Sequence, residues 1–206
     1  LKFYESVTYA AGPLLKLLLK SRMQRGKEDA ARLPERMGRP SRERPQGQVV
    51  WVHAASVGEA QSAMILIDAI GRLGSNIHVL VTTGTVTSAT LMERRLPRFA
   101  IHQYAPLDHP LWVKNFLDYW KPDLALWMES ELWPNTLLEL KRRVIPVALI
   151  NARLSEKSFR NWNYAPAIAG QIIDCFSVIL AQTNKDALHY QRLCAKNIIV
   201  SDNIKY

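Results

Sequence analysis

No glycine-rich phosphate loop announces itself in this chain. There is no GxGxxG behind the first strand-like run and no GxxxxGK followed by Ser or Thr, so neither a dinucleotide site nor a P-loop site is supported. Ser56 stands in A-S-V-G-E rather than in a GxSxG elbow, and no His/Asp pair is placed to complete a triad. Cysteine is scarce. Cys175 and Cys194 lie far apart with no CxxC, which argues against a disulfide framework and reads as reduced thiols of a cytosolic protein. The histidines, at 53, 78, 102, 109 and 189, are scattered, so no metal-ligand spacing is seen and no metal is expected. Lys2, Glu5, Lys16 and Lys20 interrupt the apolar opening before it reaches the roughly 18 residues of a membrane span. That opening also lacks the layout of a signal peptide. It starts at Leu1 rather than Met, which leaves room for residues upstream.

What is present is a chain of 206 residues, 48% hydrophobic and 22% charged, the composition of a folded globular protein with one sizeable core and room for an appendage. Its net charge of +9 is uneven: residues 1–47 carry eleven Lys/Arg against five Asp/Glu, and the remainder sixteen against thirteen. The basic character belongs to the N-terminal arm, and its partner should be a polyanion, either nucleic acid or an anionic lipid surface. In that arm Phe3, Tyr4, Val7, Tyr9, Leu14, Leu15, Leu17, Leu18 and Leu19 are followed by Lys20, Arg22, Arg25 and Lys27. Apolar bulk with aromatics and flanking cations suits a helix lying in a membrane interface. A helix packed on the domain's own core is the alternative. No nucleic-acid module accompanies the charge, so no nucleic-acid partner is expected.

From residue 49 the pattern alternates. Short β-branched runs at Val49–Ala54, Ile77–Thr82, Ala100–Tyr104, Leu124–Trp127, Ile145–Ile150 and Val178–Ala181 predict strands. Helical spacing separates most of them, over Ala60–Leu73, Val86–Leu96, Leu111–Trp120 and Trp133–Arg142. The strands are nearly all apolar, as strands buried on both faces are. The expected fold class is α/β, a Rossmann-like doubly wound parallel sheet with helices on both faces. Residues 1–47 read as a membrane-associating amphipathic helix and a basic connector, and 48–206 as the Rossmann-like domain. Residues 151–176 read as a polar loop followed by a helix.

Ligands of such sheets bind beyond the carboxyl ends of the strands. Glu59 follows the first strand at the first turn of a helix, after Ser56 and Gly58, where Gly58 allows a tight turn and close ligand approach. It is either an acid favoured by the helix dipole or a carboxylate able to take a proton from a substrate hydroxyl. In the second case its basicity must come from desolvation or acidic neighbours. Glu129 and Glu131 end the fourth strand; one residue apart, they should point to opposite sides, so at most one faces the cleft. Thr83, Gly84 and Thr85 could cradle an anion at a helix start, with Thr85 as an ordinary N-cap the other reading. Arg153, after the fifth strand, suits phosphate or carboxylate binding.

At these residues a family resemblance emerges. V-W-V-H-A-A-S-V-G-E-A at 50–60, V-T-T-G-T at 81–85, Y-A-P-L-D at 104–108, M-E-S-E-L-W-P-N at 128–135 and N-A-R-L-S at 151–155, with E-R-M-G at 35–38 and D-N-I-K-Y at the end, together resemble the 3-deoxy-D-manno-octulosonic acid (Kdo) transferases of Gram-negative bacteria. The resemblance implies one half of a two-domain GT-B fold, the acceptor side. It also implies inverting transfer of Kdo from CMP-Kdo to a lipid A precursor at the cytoplasmic face of the inner membrane, with no cofactor or metal. It assigns Glu59 as general base and Glu129, Ser130 and Glu131 as its supporting acidic motif; Ser56, Gly58, Thr83, Gly84, Thr85, Ser130 and Arg153 are the residues expected to bind the acceptor. Family members are about twice this length, so the CMP-Kdo-binding half is expected to be absent and this chain inactive alone. Ser201-Asp202 also stands where the family usually has a glycine before Asn203. The competing reading is a non-catalytic lipid-surface binding module on the same fold.

Overall fold

The computed structural model describes residues 1–74, 76–129 and 131–204. Its strands are β1 (Gln48–Ala54), β2 (Ile77–Thr83), β3 (Ala100–Tyr104), β4 (Leu124–Met128), β5 (Val147–Ala152), β6 (Val178–Ala181) and β7 (Ile198–Val200). Among the described residues they form one parallel sheet in the order β3-β2-β1-β4-β5-β6-β7. The helices are α1 (Lys2–Ala10), α2 (Gly12–Gln24), α3 (Val57–Gly71), α4 (Val86–Arg95), α5 (Pro110–Trp120), α6 (Pro134–Arg142), α7 (Glu156–Asn163), α8 (Pro166–Ile173) and α9 (Asn184–Arg192).

Alternation along each strand splits the core into two layers. Val49 and Trp51 of β1, Ala125 and Trp127 of β4 and Val147 and Leu149 of β5 meet Phe116 of α5, Leu137 and Leu140 of α6 and Ile172 of α8. Their sequence neighbours Val52, Leu126, Met128, Ala148 and Ile150 turn the other way, onto Ala63, Ile67 and Ile70 of α3 and Met92 of α4. Helices therefore cover both faces, the doubly wound arrangement expected from the sequence.

Several details differ from the sequence reading. β5 starts two residues later than expected, because Pro146 has no N–H to give: only its carbonyl joins the sheet, accepting from Ala125 N at 2.9 Å. β7 was not anticipated, and the stretch after Ser155 forms two helices rather than one, divided before Pro166. The arm is likewise two helices, with Pro13 in the first turn of α2. Helix α1 buries none of its residues and α2 only Gly12 and Leu19. Tyr4 Oη donates to Asp108 at 3.2 Å, Arg142 pairs with Glu5 at 2.8 Å, and Tyr9 stacks on His109. Phe3, Leu14 and Leu17 remain 83%, 68% and 64% exposed. No helix among the described residues is long and apolar enough to cross a membrane.

The basic connector is packed against the sheet. Glu28, Glu35 and Arg36 are buried, and Glu35 Oε2 accepts from the N–H of Tyr104, the last residue of β3, at 2.6 Å. Gly38 ends a 3₁₀ turn (Leu33–Met37) in the left-handed region, φ +73°, and passes close under α5.

Candidate functional site

Neighbouring strands β1 and β4 are where the order of the sheet reverses, with His53 in register with Trp127. The residues that follow them, 55–59 on one side and 129 and 131–133 on the other, therefore lie by the crevice in which open α/β sheets bind ligands.

Ser56 caps α3, its Oγ accepting from Glu59 N at 3.2 Å. Glu59 folds back over the turn: Oε1 accepts from Ser56 Oγ and Oε2 from Ala55 N, both at 2.9 Å. The two sequence readings of Glu59 thus describe one geometry. The side chain completes a reciprocal cap of the kind that stabilises helix starts, and it is also a carboxylate at the strand end, buried to 7% exposure. Burial raises its pKa most. The Ala55 and Ser56 hydrogen bonds pull the other way, the charges of Glu129 and Glu131 push up again, and the net direction is upward.

The alternation behind the expectation that Glu129 and Glu131 point to opposite sides does not extend to Glu129. Glu129 has φ +55°, outside extended geometry, so the period of two stops at Met128. Both charges reach Glu59. Glu131 Oε2 accepts from Trp133 Nε1 at 2.9 Å, and its carbonyl accepts from Trp127 Nε1. Ser130 lies outside the described residues.

Beneath these acids sits an aromatic floor. The His53 ring lies 4.3 Å from Trp127 and 4.7 Å from Trp133, and Trp51 lies 5.2 Å from Trp127. His53 Nδ1 and Trp51 Nε1 both meet Thr82 Oγ1, at 2.9 and 2.8 Å. Burial, assisted by the Arg36 charge, pushes the His53 pKa down to about 3, so the ring is neutral.

The remaining sequence candidates divide. Thr83 points inward, its Oγ1 2.9 Å from His102 Nε2. Gly84 N donates to Ala55 O at 3.2 Å, and a Cβ on Gly84 would stand 2.8 Å from that oxygen, so here the close approach of two turns does require glycine. Gly58 does not fill that role: it is helical, and a Cβ there would meet nothing within 4 Å. Its contribution is open space beside Glu59. Thr85 is the N-cap of α4, in a capping box with Ser88. Arg153 is exposed just beyond β5, with no hydrogen-bond partner among the described residues.

Sequence reasoning passed over two groups, Asp108 and the Glu28–Arg36 pair. Asp108 accepts from Asn135 N at 3.0 Å, Thr136 N at 2.8 Å and Thr136 Oγ1 at 2.7 Å, so it caps α6 from a neighbouring loop. Glu28 and Arg36 form a buried ion pair at 2.9 Å beside the Gly84 turn. Asp202, in the Ser201-Asp202 pair noted in the sequence, takes φ +58°, a conformation that Asp tolerates better than most residues.

Comparison with known proteins shows the family and the fold. Residues 31–206 match the family model described as 3-deoxy-D-manno-octulosonic-acid transferase (kdotransferase). The chain is 37% identical over its full length to the probable mitochondrial 3-deoxy-D-manno-octulosonic acid transferase of Arabidopsis thaliana, covering 47% of that protein. It is 34% identical over its full length to the 3-deoxy-D-manno-octulosonic acid transferase of Rickettsia bellii, covering 49%. The chain thus spans about half the length of the curated relatives it matches. Among solved structures, the S. aureus MnaA-UDP co-structure superposes with a TM-score of 0.56 at 13% identity, over 76% of this chain and 45% of that one. The UDP-GlcNAc 2-epimerase from Neisseria meningitidis superposes with a TM-score of 0.53 at 18% identity, over 76% and 47%. At such identities the likeness establishes the fold alone, a Rossmann-like half of GT-B type. With the family model spanning all but the first thirty residues, the chain belongs to the Kdo transferase family.

Proposed function

We propose that this chain is the acceptor-side half of a transferase that moves Kdo from CMP-Kdo to a lipid A precursor with inversion, and that Glu59 is the general base. The observation that carries the reading is the buried Glu59 carboxylate, raised in pKa by desolvation and by Glu129 and Glu131, at the topological switch of the sheet. In a single displacement an acceptor hydroxyl oxygen attacks the anomeric carbon of Kdo as the bond to the CMP phosphate oxygen breaks. The hydroxyl proton passes to Glu59 and the electron pair leaves with CMP. A carboxylate made more basic than an ordinary glutamate is what such a step uses. No cofactor enters this scheme. The donor would be held by the half of the relatives' length that lies outside this chain, and its leaving phosphate stabilised by fixed cations or helix N-termini.

The acceptor carries acyl chains, so the reaction takes place at a bilayer surface. The exposed Phe3, Leu14, Leu17 and Leu18 of the arm, with Lys16, Lys20 and Arg22 beside them, support peripheral attachment there, and a lipid A acceptor makes that surface the inner membrane's cytoplasmic face. The test is Kdo transfer from CMP-Kdo to a lipid A precursor by the full-length protein, wild type against Glu59→Gln. A loss of about 10²-fold or more, with fold and acceptor binding kept, supports the base assignment. An active Glu59→Gln rules it out and moves attention to Glu129 and Glu131. Acceptor and vesicle binding without transfer by wild type would favour the non-catalytic module.

A further inference from the structure

An unbroken run of hydrogen bonds leads from the N-terminal arm to the carboxylate of Glu59. Arg22, in the last turn of α2, donates from Nε to Glu28 Oε1 at 2.7 Å, and Arg36 donates from Nε to Glu28 Oε2 at 2.9 Å. The far edge of the Arg36 guanidinium donates to two carbonyls on successive strand-end loops, Gly84 through Nη2 and Ala105 through Nη1, the latter at 3.2 Å. Gly84 N then donates to Ala55 O at 3.2 Å, and Ala55 N to Glu59 Oε2 at 2.9 Å. The run is mechanical rather than electronic. Gly84 and Ala55 are each gripped at both their N–H and their C=O, so a displacement at one end is handed to the other.

The anchor of this run is built to stay in place. The side chains of Arg36 and Glu28 are each 3% exposed. The guanidinium carbon of Arg36 lies 4.8 Å from the centre of the Tyr104 ring, as does that of Arg32. The backbone of Arg36 is pinned as well, its carbonyl accepting from Leu107 N at 2.9 Å. A planar fork with several fixed donors can hold a carboxylate and two carbonyls at once; an ammonium cannot do so from one position. At Gly84 the absence of a side chain is what lets the two turns touch.

We propose that Arg36 is a positioning residue for Glu59, setting the 55–59 turn through Gly84, and that Glu28 and Arg22 tie this setting to the seat of α2. The proposal rests on the reading of Glu59 as the base. The arm thereby acquires a second role, since the way α2 sits on a surface is felt at the reacting carboxylate.

The test is a double-mutant cycle in the full-length protein, with Kdo transfer as the readout. Arg36→Lys is expected to lower kcat on the order of tenfold, the cost of a sub-ångström misplacement, with acceptor KM changed less than about twofold. In a Glu59→Gln background the same substitution should cost nothing further, because the residue it positions is gone. If Glu59→Gln is itself harmless, the base reading falls. If Glu59→Gln is crippling and the Arg36→Lys loss simply adds to it, the positioning proposal falls and the base reading stands. Amide exchange, which needs no turnover, gives an independent measure. Arg36→Lys should speed exchange at Gly84 and Ala55 on the order of tenfold while Leu149 in β5 keeps its protection. Equal acceleration across the sheet would mean general destabilisation and overturn the proposal. Arg22→Gln, at the partly exposed end, should speed Gly84 exchange by a smaller factor; no change there would remove the arm from the linkage.

Discussion

Replacing Gly38 with alanine should destabilise the protein by several kcal/mol, whereas the same change at Gly58 should not. Gly38 has φ +73°, and a Cβ there would stand 1.9 Å from the carbonyl oxygen of Trp112 and 2.9 Å from its carbon. The obstacle is the backbone of α5, so no side chain can rotate out of the way. Left-handed geometry costs an alanine about 1–2 kcal/mol. Forcing packed backbone apart adds about 1–3 kcal/mol. The sum, about 2–5 kcal/mol, is a large part of the roughly 5–15 kcal/mol that holds an ordinary domain together. In a domain of this size each kcal/mol lowers Tm by about 2–4 °C, so a fall of at least about 4 °C is expected. Gly58 is the matched control: it sits in the first turn of α3, and a Cβ would meet nothing within 4 Å. Gly58→Ala should be neutral or gain up to about 1 kcal/mol through the unfolded chain. Urea unfolding of both variants, followed by circular dichroism, measures the pair. A loss below about 1 kcal/mol for Gly38→Ala, or shifts of the same sign and size for both, would refute the reasoning.

Other expectations follow from the site and the arm. If Glu59 is the base, as proposed above, it acts only when ionised, and because its pKa is held up by burial and by Glu129 and Glu131, kcat/KM should rise with pH through a value above the ordinary glutamate range. Glu131→Gln removes a like charge and should move that limb to lower pH; an unmoved or raised limb in a pH–rate profile would contradict it. Asp108→Ala leaves the first turn of α6 without its cap and should cost about 1–3 kcal/mol in denaturant unfolding. Arg142→Ala breaks a half-exposed pair with Glu5, and its cost should stay below about 1 kcal/mol. Leu14→Ser with Leu17→Ser should weaken sedimentation with anionic vesicles severalfold while leaving Tm unchanged, since both side chains are exposed already.

The sheet was legible in the sequence because its strands are short runs of β-branched and aromatic residues buried on both faces. Ala100–Tyr104 and Val178–Ala181 match to the residue. β7 escaped notice because three residues, mostly exposed, leave almost no pattern. The β5 boundary slipped at Pro146, whose carbonyl belongs to the sheet although its nitrogen cannot. At the site, spacing brought Glu59, Glu129 and Glu131 to one edge, but it could not see that a left-handed Glu129 breaks the alternation assumed for a strand end. The Glu28–Arg36 pair was invisible for a more general reason. Charged residues in an Arg- and Pro-rich stretch read as solvated connector, and nothing local reveals that two of them are buried against a loop near residue 84.

The aromatic floor also makes the crevice optically readable. Trp133 is half-buried, its indole N–H is committed to the Glu131 carboxylate, and its near neighbour His53 stays neutral across the physiological range. Indole emission is sensitive to an adjacent carboxylate's charge and to the entry or expulsion of water, and a neutral imidazole adds no titration of its own near pH 7. A ligand arriving over the acids should therefore change the emission of this tryptophan, so that occupancy can be followed in a stopped-flow cuvette without attaching a dye to either the protein or the ligand.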